Sequence, residues 1–231
     1  MTSENREDLE IILSARVAFY FLMRNALGSA PTGELLKALS SDGGRAVIAL
    51  AGNNNSANAA VSAYFSALDK LLAHCQENPS ETLEAMRDDY TALFVGPAKL
   101  AAQPWESYYR DSEGALFSKH TLSVRDAYRT HGFVSSGYPN EPDDHLAYEL
   151  DFMRHLAQQT FRKLQEDTDI DRLVAAQSSF LKNHLLQWID EYAEDMEKTD
   201  RACLYPFLVN VLQLTLNRDN HFLDSLLETN V

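Results

Sequence analysis

The sequence predicts an all-α fold, and three observations carry that reading. Apolar residues recur at intervals of three and four along most of the chain, the spacing of one helix face. No stretch shows the sustained two-residue alternation of a half-buried strand. Glycine, proline and capping residues fall between the periodic stretches and not within them. With 231 residues, 45% hydrophobic and 23% charged, the chain has enough apolar material for a substantial core. The reading is a single globular helical domain over 1–231, or two helical parts (8–134 and 144–228) joined by a hinge near 135–143.

The elements follow in order. Leu9, Ile12, Leu13, Arg16, Val17, Tyr20 and Met23 predict a helix over 8–27, stopped by Gly28. Thr32 is placed to cap a short second helix through Leu39, with a turn over 40–44 and a loop over 52–56. Val61, Tyr64, Phe65, Leu68, Leu71, Leu72 and Cys75 predict a helix over 57–77, ended by Pro79. Ser80 is the candidate cap of the next, with Glu84 near the capping-box position, and that helix runs to Phe94 before Gly96-Pro97. Residues 97–113 read as irregular. A helix over 118–130 closes at Gly132. The turn-rich 135–143 precedes a long helix through Leu146, Leu150, Met153, Leu156, Phe161 and Leu164. Two more helices follow, near 169–196 and 201–227, with Pro206 in the first turn of the last.

Charge and composition exclude several functions. Acidic residues outnumber basic ones 34 to 20, a net charge of −14, which disfavours nucleic acid and anionic lipid and favours a basic peptide or protein face. Cys75 and Cys203 form no Cys-x-x-Cys pair and read as inert thiols. The polar start, Met1 to Glu10, lacks the pattern of a secretory signal. Ile11 to Leu27 is interrupted by Arg16, Arg24 and Asn25, short of the ~18 uninterrupted apolar residues of a membrane span. A cytoplasmic protein is the expectation.

No dinucleotide, phosphate-loop or nucleophile-elbow motif is present. Three clusters are candidates for chemistry or binding. The first is Glu141, Asp144, His145 and Glu149, where a helix would set His145 and Glu149 on one face. These could ligate a divalent metal, but His155 lies about 80° further round the helix and completes no zinc spacing. Carboxylates at a helix start also serve as plain caps, the stronger reading. The second is Pro104-Trp105-Glu106-Ser107-Tyr108-Tyr109-Arg110-Asp111, either an aromatic peptide-binding wall or a plug beneath a loop. The third, Tyr90 to Pro97, holds Leu93 and Phe94 at a helix end, where a core role is the simpler reading.

In this order and spacing, Tyr90-x-x-Leu93-Phe94-Val95-Gly96-Pro97, Pro104-Trp105-Glu106-Ser107 with Tyr109-Arg110-Asp111, and Glu141-Pro142-Asp143-Asp144-His145-Leu146 resemble the TorD/DmsD/NarJ superfamily, nearest its TorD/DmsD branch. The resemblance spans about residues 86–156. It implies an all-helical cytoplasmic chaperone with no catalytic reaction. Such a chaperone serves molybdopterin oxidoreductases, binds the client's twin-arginine signal peptide and often its mature part, and delays export until the cofactor is inserted. No cofactor is expected, although weak guanine-nucleotide binding is known in the family. Carried over by position, Leu93, Phe94, Pro104, Trp105, Asp144 and His145 are the expected leader contacts, with Tyr108, Tyr109, Arg110, Asp111, Glu141, Pro142 and Asp143 alongside. Ala98 and Tyr109 stand where relatives often carry tryptophan.

The physical sense is direct. Carboxylates at 141, 143 and 144 would orient the leader's guanidiniums, and apolar burial at ~25 cal/mol per Å² would supply most of the affinity. Asp144 and Glu149 are expected to favour a charged His145. The hinge reading allows a monomer or a domain-swapped dimer. The alternatives are a generic helical interaction scaffold and a metal- or nucleotide-dependent enzyme.

Overall fold

The computed structural model describes residues 3–52, 55–97, 100–111, 118–199, 201 and 204–229. Cys203, Ala98 and positions 53–54 of the expected 52–56 loop lie outside these. Helices make up the described chain: α1 Ser3–Gly28, α2 Gly33–Ser40, α3 Asp42–Ala49, α4 Asn55–Glu77, α5 Pro79–Tyr90, α6 Glu106–Arg110, α7 Lys119–Thr130, α8 Leu146–Gln165, α9 Asp171–Asn183, α10 Ile189–Glu197 and α11 Tyr205–Thr229. A π-helical turn, Thr91–Val95, extends α5, and a 3-10 turn, Leu185–Gln187, separates α9 from α10. Among the described residues the sole β-type pairing is an isolated antiparallel bridge between Trp105 and His145.

Local chemistry sets most boundaries. The Leu35 amide donates to Thr32 Oγ1 at 3.1 Å, so Thr32 caps α2. Ser118 caps α7 through the His120 amide. At the other end of α7, Gly132 takes φ 65°, a left-handed conformation that glycine adopts without steric cost. The Phe133 amide then reaches Tyr128 O at 3.0 Å and the Gly132 amide reaches Arg129 O at 3.1 Å, closing a Schellman motif. The Tyr128 and Phe133 rings meet edge-on at 5.0 Å, the apolar contact that accompanies such motifs.

Four expectations need correction. Residues 40–44 are not a simple turn: Ser41 ends α2 and its Oγ accepts from the Gly44 amide, starting α3. Pro79 opens α5 as its first residue, with Asn78 before it, and Ser80 is inside the helix and not its cap. The segment 97–113 contains the short helix α6. The helix over 169–196 is broken at His184–Trp188, where the 3-10 turn intervenes.

The central packing pair is α1 against α8. Arg6 reaches Asp167 and Leu164 O at the far end of α8, while Gly28 abuts Ala147 at its near end, so the two helices run antiparallel. α11 lies against α4, α9 and α10. One hydrophobic cluster takes in Leu13, Met23 and Tyr64 as well as Leu150, Leu181 and Leu212, residues from both sides of 135–143. That segment is itself tied down: Ser135 Oγ donates to Asp143 Oδ1 at 2.7 Å and Tyr128 Oη donates to Asp143 O at 2.9 Å. Averaged over its most apolar window α1 reaches a mean hydropathy of 1.2, long and apolar enough to cross a membrane despite its interrupting polar residues. Its Leu13, Met23 and Leu27 are buried in the core, and Arg16 is paired to Asp219 of α11, so in this fold it is a core helix.

The helix pair requires a close approach at Gly28, where an added Cβ would lie 2.4 Å from Ala147 Cβ. Gly28→Val is therefore expected to lower unfolding free energy by about 1–3 kcal/mol. Ala147→Gly in the same chain should recover part of it in denaturant titrations. An undiminished stability in Gly28→Val would show that the helices are not this close.

Candidate functional site

Two helix starts meet head to head at the Trp105–His145 bridge. Trp105 is the N-cap residue of α6 and His145 that of α8. The first amide of α6, Glu106 N, donates to Asp144 O at 3.0 Å, and the first amide of α8, Leu146 N, donates to Pro104 O at 2.8 Å. The second amides are held by side chains: Ser107 N by Asp144 Oδ2 at 2.8 Å and Ala147 N by His145 Nδ1 at 3.1 Å. Tryptophan has no acceptor with which to cap its own helix, so Asp144 supplies one from 37 residues away. Four orphan helix amides are thus satisfied at this crossing, three of them by acceptors on the other segment.

This geometry sends the carboxylates inward. Asp144, Glu106 and Glu149 are each 0% exposed and Asp143 is 2% exposed. Asp143 pairs with Arg125 Nε at 2.6 Å. Glu106 is held by Arg110 and by His184 Nδ1 at 2.9 Å. Glu149, in the first turn of α8, has its pKa pushed well above the usual carboxylate range by burial first, and then by the neighbouring charges of Glu106 and Asp144. Both causes favour its protonated form. Burial among the same carboxylates also keeps the Tyr128 phenol protonated as donor to Asp143 O.

The predicted site residues therefore divide. Leu93 and Phe94 are buried, Phe94 against the rings of Tyr90 and Tyr205 at 5.0 and 5.2 Å. Pro104, Pro142, Asp143 and Asp144 are buried too. Trp105, Tyr108, Tyr109, Arg110, Asp111 and His145 are half-buried, and Glu141 is exposed. Tyr109 stacks on the buried Trp188 at 5.6 Å, Arg110 also bonds Asn183 O at 2.7 Å, and Asp111 lies 3.7 Å from His120. The expected acidic groove face of Glu141, Asp143 and Asp144 reduces to Glu141, because the two aspartates serve the α6 amides and Arg125.

The expectation of a charged His145 is also corrected. Its Nδ1 accepts the Ala147 amide, which requires an unprotonated nitrogen. Burial pushes its pKa down to about 4, and the Glu141 charge offsets this only in part. The suggested metal quartet does not converge: Glu141 accepts from Tyr148 Oη, Asp144 from Ser107 N, and His145 Nδ1 is used as a cap.

What reaches the surface is a set of rings bordered by one carboxylate. Trp105 and His145 meet edge-on at 5.4 Å, and His145 meets Tyr148 at 5.3 Å. Tyr148 bonds Glu141, whose charge is also felt by Tyr90, a phenol pushed up to about 12 chiefly by burial. The Trp105 Nε1–H is buried without an acceptor among the described residues. The sequence reading did not single out Tyr148, His184, Trp188 or Arg125. Tyr148 alone had a local signal, one turn beyond Glu141-Pro142-Asp143-Asp144. The others meet the site only through the tertiary fold.

Residues 54–194 match the family model described as nitrate reductase delta subunit. The chaperone protein TorD of Vibrio cholerae serotype O1 (strain ATCC 39541 / Classical Ogawa 395 / O395) is 31% identical over 161 residues, covering 70% of this chain and 72% of that protein. TorD of Photobacterium profundum is 33% identical over 135 residues, 58% of this chain and 62% of that one. TorD of Vibrio vulnificus (strain YJ016) is 24% identical over 217 residues, 94% of this chain and 98% of that one. The chain belongs to the TorD family of chaperones, a non-enzymatic role.

Because the Glu149 folded-state pKa is raised, its contribution to stability is present below its ordinary value of 4.5 and is lost as pH rises through the raised one. Glu149→Gln, which keeps the shape and removes the ionisation, should be at least as stable as the parent at pH 4.5 and more stable at alkaline pH. Denaturant titrations at both pH values check this. A variant less stable than the parent at alkaline pH would show that Glu149 is held as an anion.

Proposed function

We propose that this chaperone binds the twin-arginine signal peptide of a molybdopterin oxidoreductase in the cytoplasm, together with part of the mature client, and delays export until the cofactor is inserted. Membership of the TorD family supports the class of client. The observation that carries the site is the half-buried Trp105, its indole N–H lacking an acceptor, set beside His145 and Tyr148 with the exposed Glu141 at the border.

Each part has a physical task. The apolar stretch of the leader packs over the rings of Trp105, Tyr108, His145 and Tyr148, which offer large area with few rotors to freeze. A leader carbonyl accepts the Trp105 indole proton, so closing over that ring leaves no donor unpaired. Glu141 receives a guanidinium in bidentate fashion, at the cost of its bond from Tyr148. Asp143 and Asp144 act through the backbone they hold in place and do not touch the leader. The net charge of −14 draws the cationic leader in, an effect that weakens with salt.

Calorimetric titration with a synthetic leader (two arginines, then an apolar run) tests this. Trp105→Ala should weaken binding by about tenfold or more, with Trp105→Phe between the two. A leader with both arginines changed to lysine should bind the parent more weakly, and Glu141→Gln should narrow that difference. Unchanged affinity in folded Trp105→Ala and Glu141→Gln proteins would overturn the site.

A further inference from the structure

Far along α1 from the helix-start junction, α1, α3 and α11 line an open cavity of about 150 Å³. Ile11, Ile12, Phe19, Leu50 and Phe222 make its wall largely apolar, and Ile11 and Leu50 are 64% and 49% exposed. Three polar side chains in that wall are nearly enclosed, Arg16, Tyr20 and Asp219, and the Phe222 ring lies 5.7 Å from the Arg16 guanidinium carbon. Arg16 Nε and Nη2 hold Asp219 at 2.5 and 2.9 Å, and Nη2 also donates to Gln177 Oε1 at 2.8 Å. Tyr20 Oη donates to Asp219 Oδ2 at 2.6 Å. The third nitrogen, Nη1, is buried and has no acceptor among the described residues.

A buried donor left unmade is costly, the more so on a charged group, and this network is complete on every side but the one at Nη1. Asp219 balances the charge of Arg16. Arg218 also lines the cavity and pairs with no carboxylate among the described residues. The cavity thus carries one uncompensated positive charge in a chain whose net charge is −14.

We propose that this cavity binds a small apolar monocarboxylate. Its carboxylate is taken by Arg16 Nη1 and Arg218, and its tail by Ile12, Phe19, Leu50 and Phe222. A monoanion matches the single excess charge, and charge-assisted bonds to guanidinium favour it over a neutral alcohol of equal length. The volume sets the size: an apolar cavity of about 150 Å³ takes a guest of about six carbons, and an open mouth admits about two more. Octanoate is the probe of that class. This site is separate from the Trp105 surface, so its occupancy does not depend on the leader reading.

Titration of the full chain with octanoate and with octan-1-ol, followed by calorimetry and by amide chemical shifts, decides it. Octanoate should bind about tenfold or more tightly than octan-1-ol, with shifts centred on α1, α3 and α11. Arg218→Gln should erase most of that preference. Ala15→Trp, which fills the half-buried mouth while leaving Arg16 and Asp219 in place, should abolish binding of both. Equal affinity for acid and alcohol would mean that a water serves Nη1 and no carboxylate is recognised, overturning the proposal. Octanoate binding that survives Ala15→Trp, or no octanoate binding at millimolar concentration, would overturn it as well.

Discussion

The structure around the binding surface depends on one exchange of hydrogen bonds between two helix starts. Glu106 N bonds Asp144 O and Leu146 N bonds Pro104 O, with Trp105 and His145 paired between them. Each bond contributes a net ~0.5–1.5 kcal/mol, but a buried amide left without its partner costs about 1–3 kcal/mol. The four amides at this crossing therefore act less as added stability than as a constraint. If the two segments separate or slip by a residue, several donors lose their acceptors together. That makes the relative placement of 104–111 and 141–148 a fixed quantity, on which the ring set at the surface is built.

The same exchange explains where the charge goes. Two helix starts present positive dipole ends to one small volume, and carboxylates gather there for that reason. Glu106, Asp144 and Glu149 fill it, with Arg110, His184 and Arg125 around them. Burial, together with the charges of Glu106 and Asp144, raises the Glu149 pKa and so favours the form that eases their mutual repulsion. The acids of the segment thus brace the site from within. In the proposed reading, recognition of a cationic partner falls to Glu141 at the rim and to the field of the whole acidic chain. The apolar cavity on α1 shows the converse arrangement, a guanidinium inside an acidic protein with one nitrogen unserved.

Much of the fold was legible because its signals are local. Thr32, Ser118 and Gly132 act where the sequence places them, each through an amide two to five residues from its acceptor. What was missed involved patterns that continue through a break. Leu185, Leu186, Trp188 and Ile189 keep an apolar run going across the end of α9, so periodicity alone conceals the 3-10 turn. Gly43-Gly44 reads as a turn, yet Ser41 makes it a helix start. The candidate site was legible as segments and not as surfaces. Glu141 is exposed while Asp143 and Asp144 are buried, a split that no motif of consecutive residues can express. The partners that bury them, Ser107 and Arg125, are 37 and 18 residues away. His145 was misjudged for the same reason: its sequence neighbours are acids, but its spatial role is to accept an amide proton.

Nitrogen-15 NMR of the His145 imidazole shows whether that ring is the neutral cap locked against Trp105. Because burial depresses the folded pKa from 6.5 to about 4, the ring's contribution to stability is present above 6.5 and is lost as pH falls toward 4. One proton on Nε2, an unprotonated Nδ1 coupled to the Ala147 amide, and no titration of the ring between pH 8 and about 5.5 are expected. A ring that titrates near its ordinary value of 6.5, or that carries its proton on Nδ1, would contradict the account.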